Sequence, residues 1–294
     1  MGAPVTDRPS RTLAPDLFRD RHILVTGGGS GLGLAITRTV LALGGRVTIC
    51  GRSEARLAAA WEGLEAEERN RTFVHAADVR DPGQVETLIA AAWEEGGALD
   101  GVVNNAAGNF LAASEDLSPN GFDAVVRTVL HGSFHVSSAA ARRWIETERP
   151  AAIVNILATY AWTGSAFVVP SAVAKAGVLA LTRSLAVEWA TYGIRVNALA
   201  PGTFPTEGAW QRLLPTEEME EEALGRIPLG RFGEPEELAE LVAYLLTEGS
   251  SYMTGECITM DGGAWLAAGG LFNPLTRMPR DELKGFLADL KPKK

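Results

Sequence analysis

The sequence predicts one α/β domain, a doubly wound parallel sheet with helices on both faces. Three observations predict it. Apolar strand-like runs alternate with helix-patterned stretches along most of the chain, and successive βαβ units of that kind close into a parallel sheet covered on both sides. The first unit carries a glycine-rich turn, Thr26-Gly27-Gly28-Gly29-Ser30-Gly31-Leu32-Gly33, between its strand and its helix. A chain of 294 residues, 46% hydrophobic and 21% charged, fits a single large domain and requires no second one.

The elements follow in order. Residues 1–20 are polar and proline-bearing and read as an N-terminal arm. Strand-like runs stand at 22–26, 46–50, 72–76, 99–103, 152–157, 194–199 and 256–260. Helical patterns lie between them at 32–43, 54–67, 82–93, 122–145, 172–189 and 235–246. The domain therefore spans 21–265, and 266–294 form a C-terminal extension. The segment 203–229 breaks the rhythm with several prolines and an acidic run, as expected of a substrate lid above the sheet edge or of a solvated helix with a charged face.

Composition removes several classes of partner. A net charge of −9 argues against nucleic acid. No apolar run reaches membrane-spanning length, so no membrane partner is expected. The two cysteines, Cys50 and Cys257, fall in strand-like runs and read as buried, reduced thiols. The N-terminus lacks the apolar core of a secretory signal, and Lys291-Pro292-Lys293-Lys294 is not a Ser-Lys-Leu-type signal. A cytoplasmic setting is expected.

A strand–glycine turn–helix unit is the Rossmann-type device for a dinucleotide. Glycines let the backbone approach the pyrophosphate, and the helix N-terminus offers it free N–H groups and a positive dipole end. Thr26, Gly27, Gly29, Ser30, Gly31, Leu32 and Gly33 are the candidate contacts. The second strand ends in Cys50-Gly51-Arg52-Ser53. An NAD site wants a carboxylate there for the ribose 2′-hydroxyl. Arg52 instead presents a planar fork suited to a 2′-phosphate, with Ser53 and Arg56 as further donors, so the expected cofactor is NADP(H). Asp78-Val79 would sit beside the adenine, and Asn105, Ala106 and Ala107 would pass close to the cofactor after the fourth strand.

These motifs resemble the short-chain dehydrogenase/reductase family from about His22 to Gly263. The likeness rests on the glycine turn, Asn104–Gly108, Lys175, Asn197–Gly202 with Thr206, and Asp261-Gly262-Gly263. It adds Pro201, Gly202, Thr203 and Phe204 to the expected cofactor contacts. Most members reduce carbonyls with Asn, Ser, Tyr and Lys. Here only Lys175 keeps its place: Ser171 stands four residues before it, Ala158 thirteen before that, and His131 replaces the helix asparagine. An aliphatic hydroxyl is too weak an acid to replace a phenol, so ordinary ketoreduction is not expected.

The departure itself resembles the 2,4-dienoyl-CoA reductases. Ala158-Thr159-Tyr160 after the fifth strand, Val168–Ala172, Asn104–Phe110, Gly225-Arg226-Ile227-Pro228 with Gly230-Arg231, and the tail after Asp261-Gly262-Gly263 carry it. The resemblance implies a tyrosine moved to that loop, Tyr160, with Asn109, Lys175 and Ser171 as the other catalytic residues. It implies an acyl-CoA substrate met by Asn109, Phe110 and Tyr160, hydride delivered to the distal diene carbon, and charge on the thioester oxygen held by Tyr160 and Asn109. It also implies a homotetramer built on helices 122–145 and 172–189, where the small residues Ala174, Gly177 and Ala180 would face either a neighbouring subunit or the chain's own sheet. Arg127, Arg212 and Arg226 are candidates for the CoA phosphates. His131 and His135 lie four apart on a helix without a nearby carboxylate or cysteine, so no metal is expected. Two alternatives stay open: another short-chain reductase of enoyl or 3-ketoacyl thioesters, and a non-catalytic NADP-binding sensor.

Overall fold

Why the alternating pattern becomes a layered fold is visible in the burial. The computed structural model describes residues 13–206 and 216–290. Seven parallel strands form one sheet: β1 (His22–Thr26), β2 (Arg46–Gly51), β3 (Thr72–Ala76), β4 (Gly101–Asn104), β5 (Ala151–Ile156), β6 (Ile194–Pro201) and β7 (Cys257–Met260). Their order is β3-β2-β1-β4-β5-β6-β7. Strand β1 pairs with β2 on one side and with β4 on the other, so the winding reverses between β1 and β4. In open parallel sheets the ligand crevice lies at the carboxyl ends of the strands at that reversal.

Helices α1 (Gly31–Ala42), α2 (Glu54–Glu62), α3 (Ala66–Arg69), α4 (Pro82–Gly96), α5 (Pro119–Val126), α6 (Gly132–Glu146), α7 (Tyr160–Thr163), α8 (Val169–Glu188), α9 (Glu217–Gly225), α10 (Pro235–Leu245), α11 (Ala264–Gly269) and α12 (Arg280–Asp289) complete the fold. On one face Ile36 and Val40 of α1 meet Leu238 and Val242 of α10 over the strands. On the other, Leu88, Ile89, Ala140, Trp144 and Leu185 from α4, α6 and α8 pack together. The buried Trp144 indole N–H donates to the Leu99 carbonyl at 2.7 Å.

Several boundaries differ from the sequence reading. The helix expected at 54–67 breaks at Gly63 into α2 and α3, the second opened by a Glu65–Glu68 capping box. The long helix expected at 122–145 begins at Pro119, capped by Ser118, and contains a π turn over Arg127–His131. The segment expected to be an arm joins the fold at its end. Phe18 is fully buried, and its N–H donates to the Leu43 carbonyl at 2.8 Å. Cys50 is buried as expected, whereas Cys257 is only half-buried. Of the expected lid, 207–215 lies outside the described residues, and α9 fills half of the remainder. Among the described residues no helix is long and apolar enough to cross a membrane.

Candidate active site

The glycine turn is shaped by what a side chain would strike. Gly27 and Gly31 have φ of +67° and +53°, the left-handed region that favours glycine. A Cβ on Gly33 would lie 2.2 Å from the Gly27 carbonyl oxygen and 2.6 Å from Asn105 Nδ2. The start of α1 thus packs directly on the turn that precedes it. Ser30 caps α1 without a side-chain hydrogen bond, so its hydroxyl is free for a ligand.

The end of β1 is bolted to the end of β4. Thr26 Oγ1 accepts from the N–H groups of Asn105 and Ala106, both at 2.9 Å, and Asn105 Nδ2 donates to the Thr26 carbonyl at 2.9 Å. Asn105 therefore acts first as a strap, although it also borders the crevice. Behind it Asn104 Nδ2 donates to Ser137 Oγ and Asn155 Oδ1, and Asn155 Nδ2 to Thr182 Oγ1, each at 2.8 Å.

Above these elements opens a cleft of about 550 Å³. Its lining includes Gly27, Gly29, Ser30, Leu32, Arg52, Ser53, Arg56, Asp78, Val79, Asn105, Ala106 and Ala107, so most of the expected cofactor contacts converge. Arg52 is exposed and makes no hydrogen bond or ion pair among the described residues. Ser53 is engaged differently, its Oγ accepting from the Arg56 N–H at 3.3 Å as the cap of α2. Asp78 is held by Arg80, whose Nε lies 2.9 and 2.8 Å from its two carboxylate oxygens. That bond, above all, keeps the Asp78 carboxyl below the usual range, and the charge of Arg52 adds to it. The shape and donor set suit a dinucleotide: a side-chain-free turn, free donors at a helix start and an unpaired arginine at the rim.

Other expected contacts stand around this cleft. Thr26 and Gly33 hold the turn that lines it. Gly31 faces Thr206 instead, whose Cβ a side chain there would meet at 3.5 Å. Pro201, Gly202, Thr203 and Phe204 stay outside the cleft. Gly202 N–H donates to Met260, Thr203 accepts from Gly233 N–H, and Phe204 packs on Gly233 and the core. The sequence reading also missed Thr128, which reaches the cleft from the π turn.

The reactive group lies where β5 ends. Tyr160 opens the single-turn α7, and its hydroxyl stands 3.0 Å from Ser171 Oγ. Ser171 and Lys175 are one turn apart on α8, both buried. Lys175 Nζ donates to the Ile156 carbonyl. Its walls are apolar, with Val125, Val129, Leu157, Ala161, Ala174 and Val178 clustered around that part of α8. Burial pushes the Lys175 amine down to about 8. Burial likewise pushes the Tyr160 phenol up, against a smaller lowering by the Ser171 bond. Tyr160 is therefore a neutral hydrogen-bond donor at ordinary pH.

Asn109 sits half-buried on the loop after β4. Its Oδ1 accepts from the Phe110 N–H at 2.9 Å, and its amide nitrogen has no partner among the described residues. No hydrogen bond joins Asn109 to Tyr160. The two loops are tied through their backbones, Ala112 N–H donating to the Phe167 carbonyl at 2.9 Å. Phe110 is exposed, as are Trp162 and Phe167. His131 is exposed, while Val125 and Val129 pack against the lysine helix. His135 Nδ1 donates to the Val79 carbonyl at 3.0 Å, and its ring stands 6.2 Å from that of His131. Arg226 pairs with Glu222, and Arg212 lies outside the described residues.

A family model described as Enoyl-(Acyl carrier protein) reductase matches residues 27–264. A Bacillus subtilis protein named probable 2,4-dienoyl-CoA reductase, (2E)-enoyl-CoA-producing, is 45% identical over 247 residues, covering 84% of this chain and 97% of that one. The Danio rerio peroxisomal 2,4-dienoyl-CoA reductase, (3E)-enoyl-CoA-producing, is 38% identical over 258 residues, 87% and 85% of the two chains. Among solved structures, a short chain dehydrogenase from Bacillus anthracis superposes with a TM-score of 0.77 at 40% identity, covering 84% of this chain and 97% of its own.

Proposed function

The chain belongs to the short-chain dehydrogenase/reductase family, and we propose that within it the protein reduces 2,4-dienoyl-CoA thioesters with NADPH. The observation that carries this reading is the Tyr160–Ser171 pair beside a lysine that stands alone. Ordinary carbonyl reduction needs a phenol beside the hydride acceptor. Here that place holds a buried serine, and the phenol comes from the loop after β5. A donor displaced in this way suits a substrate whose reacting carbon and whose oxygen lie several bonds apart.

The nicotinamide, when bound, supplies a hydride. The remaining work falls to side chains. Hydride addition at the δ-carbon of the diene sends charge through the conjugated chain to the thioester oxygen. The Tyr160 hydroxyl and the Asn109 amide are the donors for that oxygen, the first of them largely shielded from water. Ser171 holds the phenol, and Lys175 would bind the nicotinamide ribose and add a positive field. A proton from water, or passed through the Tyr160 hydroxyl, then adds to the α-carbon, the position next to the polar end of the site, giving a 3-enoyl-CoA. Return to the γ-carbon would give the 2-enoyl product that the Bacillus subtilis relative is named for. Such a reaction serves the degradation of unsaturated fatty acids. Arg52, unpaired at the cleft rim, supports NADPH over NADH. We further propose a homotetramer, because Phe134 of α6 with Val173 and Val187 of α8 leave apolar surface exposed on the two long helices. Ala174 and Gly177 do not contribute; the first is fully buried, and a Cβ on the second would lie 2.9 Å from Leu130.

The test follows NADPH absorbance with trans,trans-2,4-hexadienoyl-CoA and longer dienoyl-CoAs, with the products separated by chromatography. Turnover yielding 3-enoyl-CoA is expected. Turnover giving only the 2-enoyl isomer would move the proton to the γ-carbon. NADPH binding without turnover of any dienoyl-CoA would overturn the assignment. Light scattering in the same buffer reads the assembly.

A further inference from the structure

Tyr160 sits on a helix too short to hold itself. Helix α7 has four residues and ends at Gly164, whose φ is +68°, and isolated turns of that length are unstable in water. Its inner side is fixed by Ala161, buried in the cluster beside α8. The next residue, Trp162, meets Trp265 of α11 edge to face, with ring centroids 5.7 Å apart and planes at 80°. Residues two apart on a helix point to nearly opposite sides, so this contact lies on the flank of α7 away from the Tyr160–Ser171 bond.

Trp265 is itself firmly held. Asp261 accepts from the N–H groups of Gly263 at 2.9 Å and of Trp265 at 2.8 Å. Gly262 and Gly263, with φ of +63° and +87°, bring the backbone close over Ile227 and Pro228, and Cβ atoms there would lie 2.6 and 3.2 Å from those side chains. Asp261 packs against Gly202 at the end of β6. A continuous set of contacts therefore runs from β6 through Asp261, Trp265 and Trp162 to the helix of Tyr160.

We propose that Trp265 is a positioning residue for Tyr160: helix α11 reaches back through the Trp162–Trp265 contact and fixes the catalytic helix from outside. The inference rests on the role given to Tyr160 above. Misplacement of a catalytic donor by about 1 Å costs up to about 100-fold in rate. Trp265→Ala should lower kcat with dienoyl-CoA by about 10- to 100-fold while leaving NADPH affinity unchanged. Trp265→Phe, which keeps an aromatic edge, should stay within about threefold of the native chain. In a Tyr160→Phe background, Trp265→Ala should cause no further loss, because the two act through one group.

A second readout needs no substrate. Of the four tyrosines, the one missing from the ultraviolet alkaline titration of Tyr160→Phe should ionise at lower pH in Trp265→Ala, as the loosened helix admits water. Trp162→Ala, which removes the same contact from the other side, should reproduce both effects. Unchanged kcat and an unchanged titration in Trp265→Ala and Trp162→Ala would overturn the proposal, as would losses that multiply in the double variant. A shifted titration in a protein that turns over no dienoyl-CoA would uphold the positioning and reject only the substrate.

Discussion

The glycine turn after β1 and the Tyr160–Ser171–Lys175 group sit at the same end of the sheet and are built on opposite plans. In the turn the backbone makes the site. Its shape follows from positive φ at Gly27 and Gly31 and from the absence of a Cβ at Gly33, and Thr26 alone satisfies two N–H groups of the β4 loop behind it. In the reactive group side chains make the site, and one of them is held at a cost. Lys175 is buried with a single carbonyl partner. The turn contributes to stability and binds; the group spends stability to keep a charge where charge is needed. The contrast teaches that the two functions of the fold, holding a cofactor and driving a reaction, answer to different perturbations.

The largest effect expected on the reactive side is on rate. Tyr160→Phe should lower kcat about 10²- to 10³-fold by removing one donor to the thioester oxygen, with melting temperature and NADPH affinity nearly unchanged. A loss of cofactor binding in this variant would break the separation drawn here.

Lys175→Met should abolish most turnover and yet stabilise the protein in the absence of ligand at neutral pH. The sign follows from linkage. The folded amine releases its proton near pH 8, whereas the unfolded one keeps it to 10.5. Between those values the unfolded chain binds more protons, so stability rises with pH. Below pH 8 the full cost of the buried charge applies, at most about 3 kcal/mol. Urea unfolding should show the variant ahead of the native chain at pH 7, with the gap closing towards pH 10.5. Turnover by the native chain should fall over the same window as the charge is lost. A variant less stable than the native chain at pH 7 would show that the amine is better accommodated than its surroundings indicate.

The turn should fail in the other way. Gly33→Ala places a Cβ against backbone rather than against a flexible side chain, and such overpacking costs about 1–3 kcal/mol. Melting temperature and NADPH affinity should fall together, since one structure carries both. Arg52→Ala should do least to the fold. It should weaken NADPH by about 10- to 100-fold through the loss of charge-assisted hydrogen bonds, while NADH binding stays level. Calorimetric titration with each cofactor checks this, and equal weakening of both would detach Arg52 from the 2′-phosphate.

What could be read from the sequence divides along the same line. Backbone sites announce themselves through spacing: Gly27, Gly31 and Gly33 between a strand and a helix were legible, and so were all seven strands. Ser171 and Lys175, four apart on one helix, were legible as neighbours. Tyr160 was found only through a family resemblance, because its bond to Ser171 joins two elements with no local pattern between them. The π turn that delivers Thr128 leaves no periodic signature, since widening one turn does not change residue types. Phe204 packs on Gly233, where the absent side chain leaves room for its ring, a contact with no local sequence signal. The pairing of Trp162 with Trp265 joins two short helices far apart in the chain and has no sequence signal at all.

The Thr26 strap has a consequence for how the molecule comes to exist. Its hydroxyl bridges groups 79 and 80 residues further along the chain, so the strap cannot close until β4 has been made and has inserted beside β1. Contacts of such long sequence separation are slow to form, because the loop entropy is spent before the contact returns anything. A nascent chain emerging with β1, α1 and β2 complete already contains every glycine of the turn but not its shape. Cofactor capture during refolding would then report arrival at a late step, and added NADPH would act by holding the finished sheet closed rather than by hastening its first half.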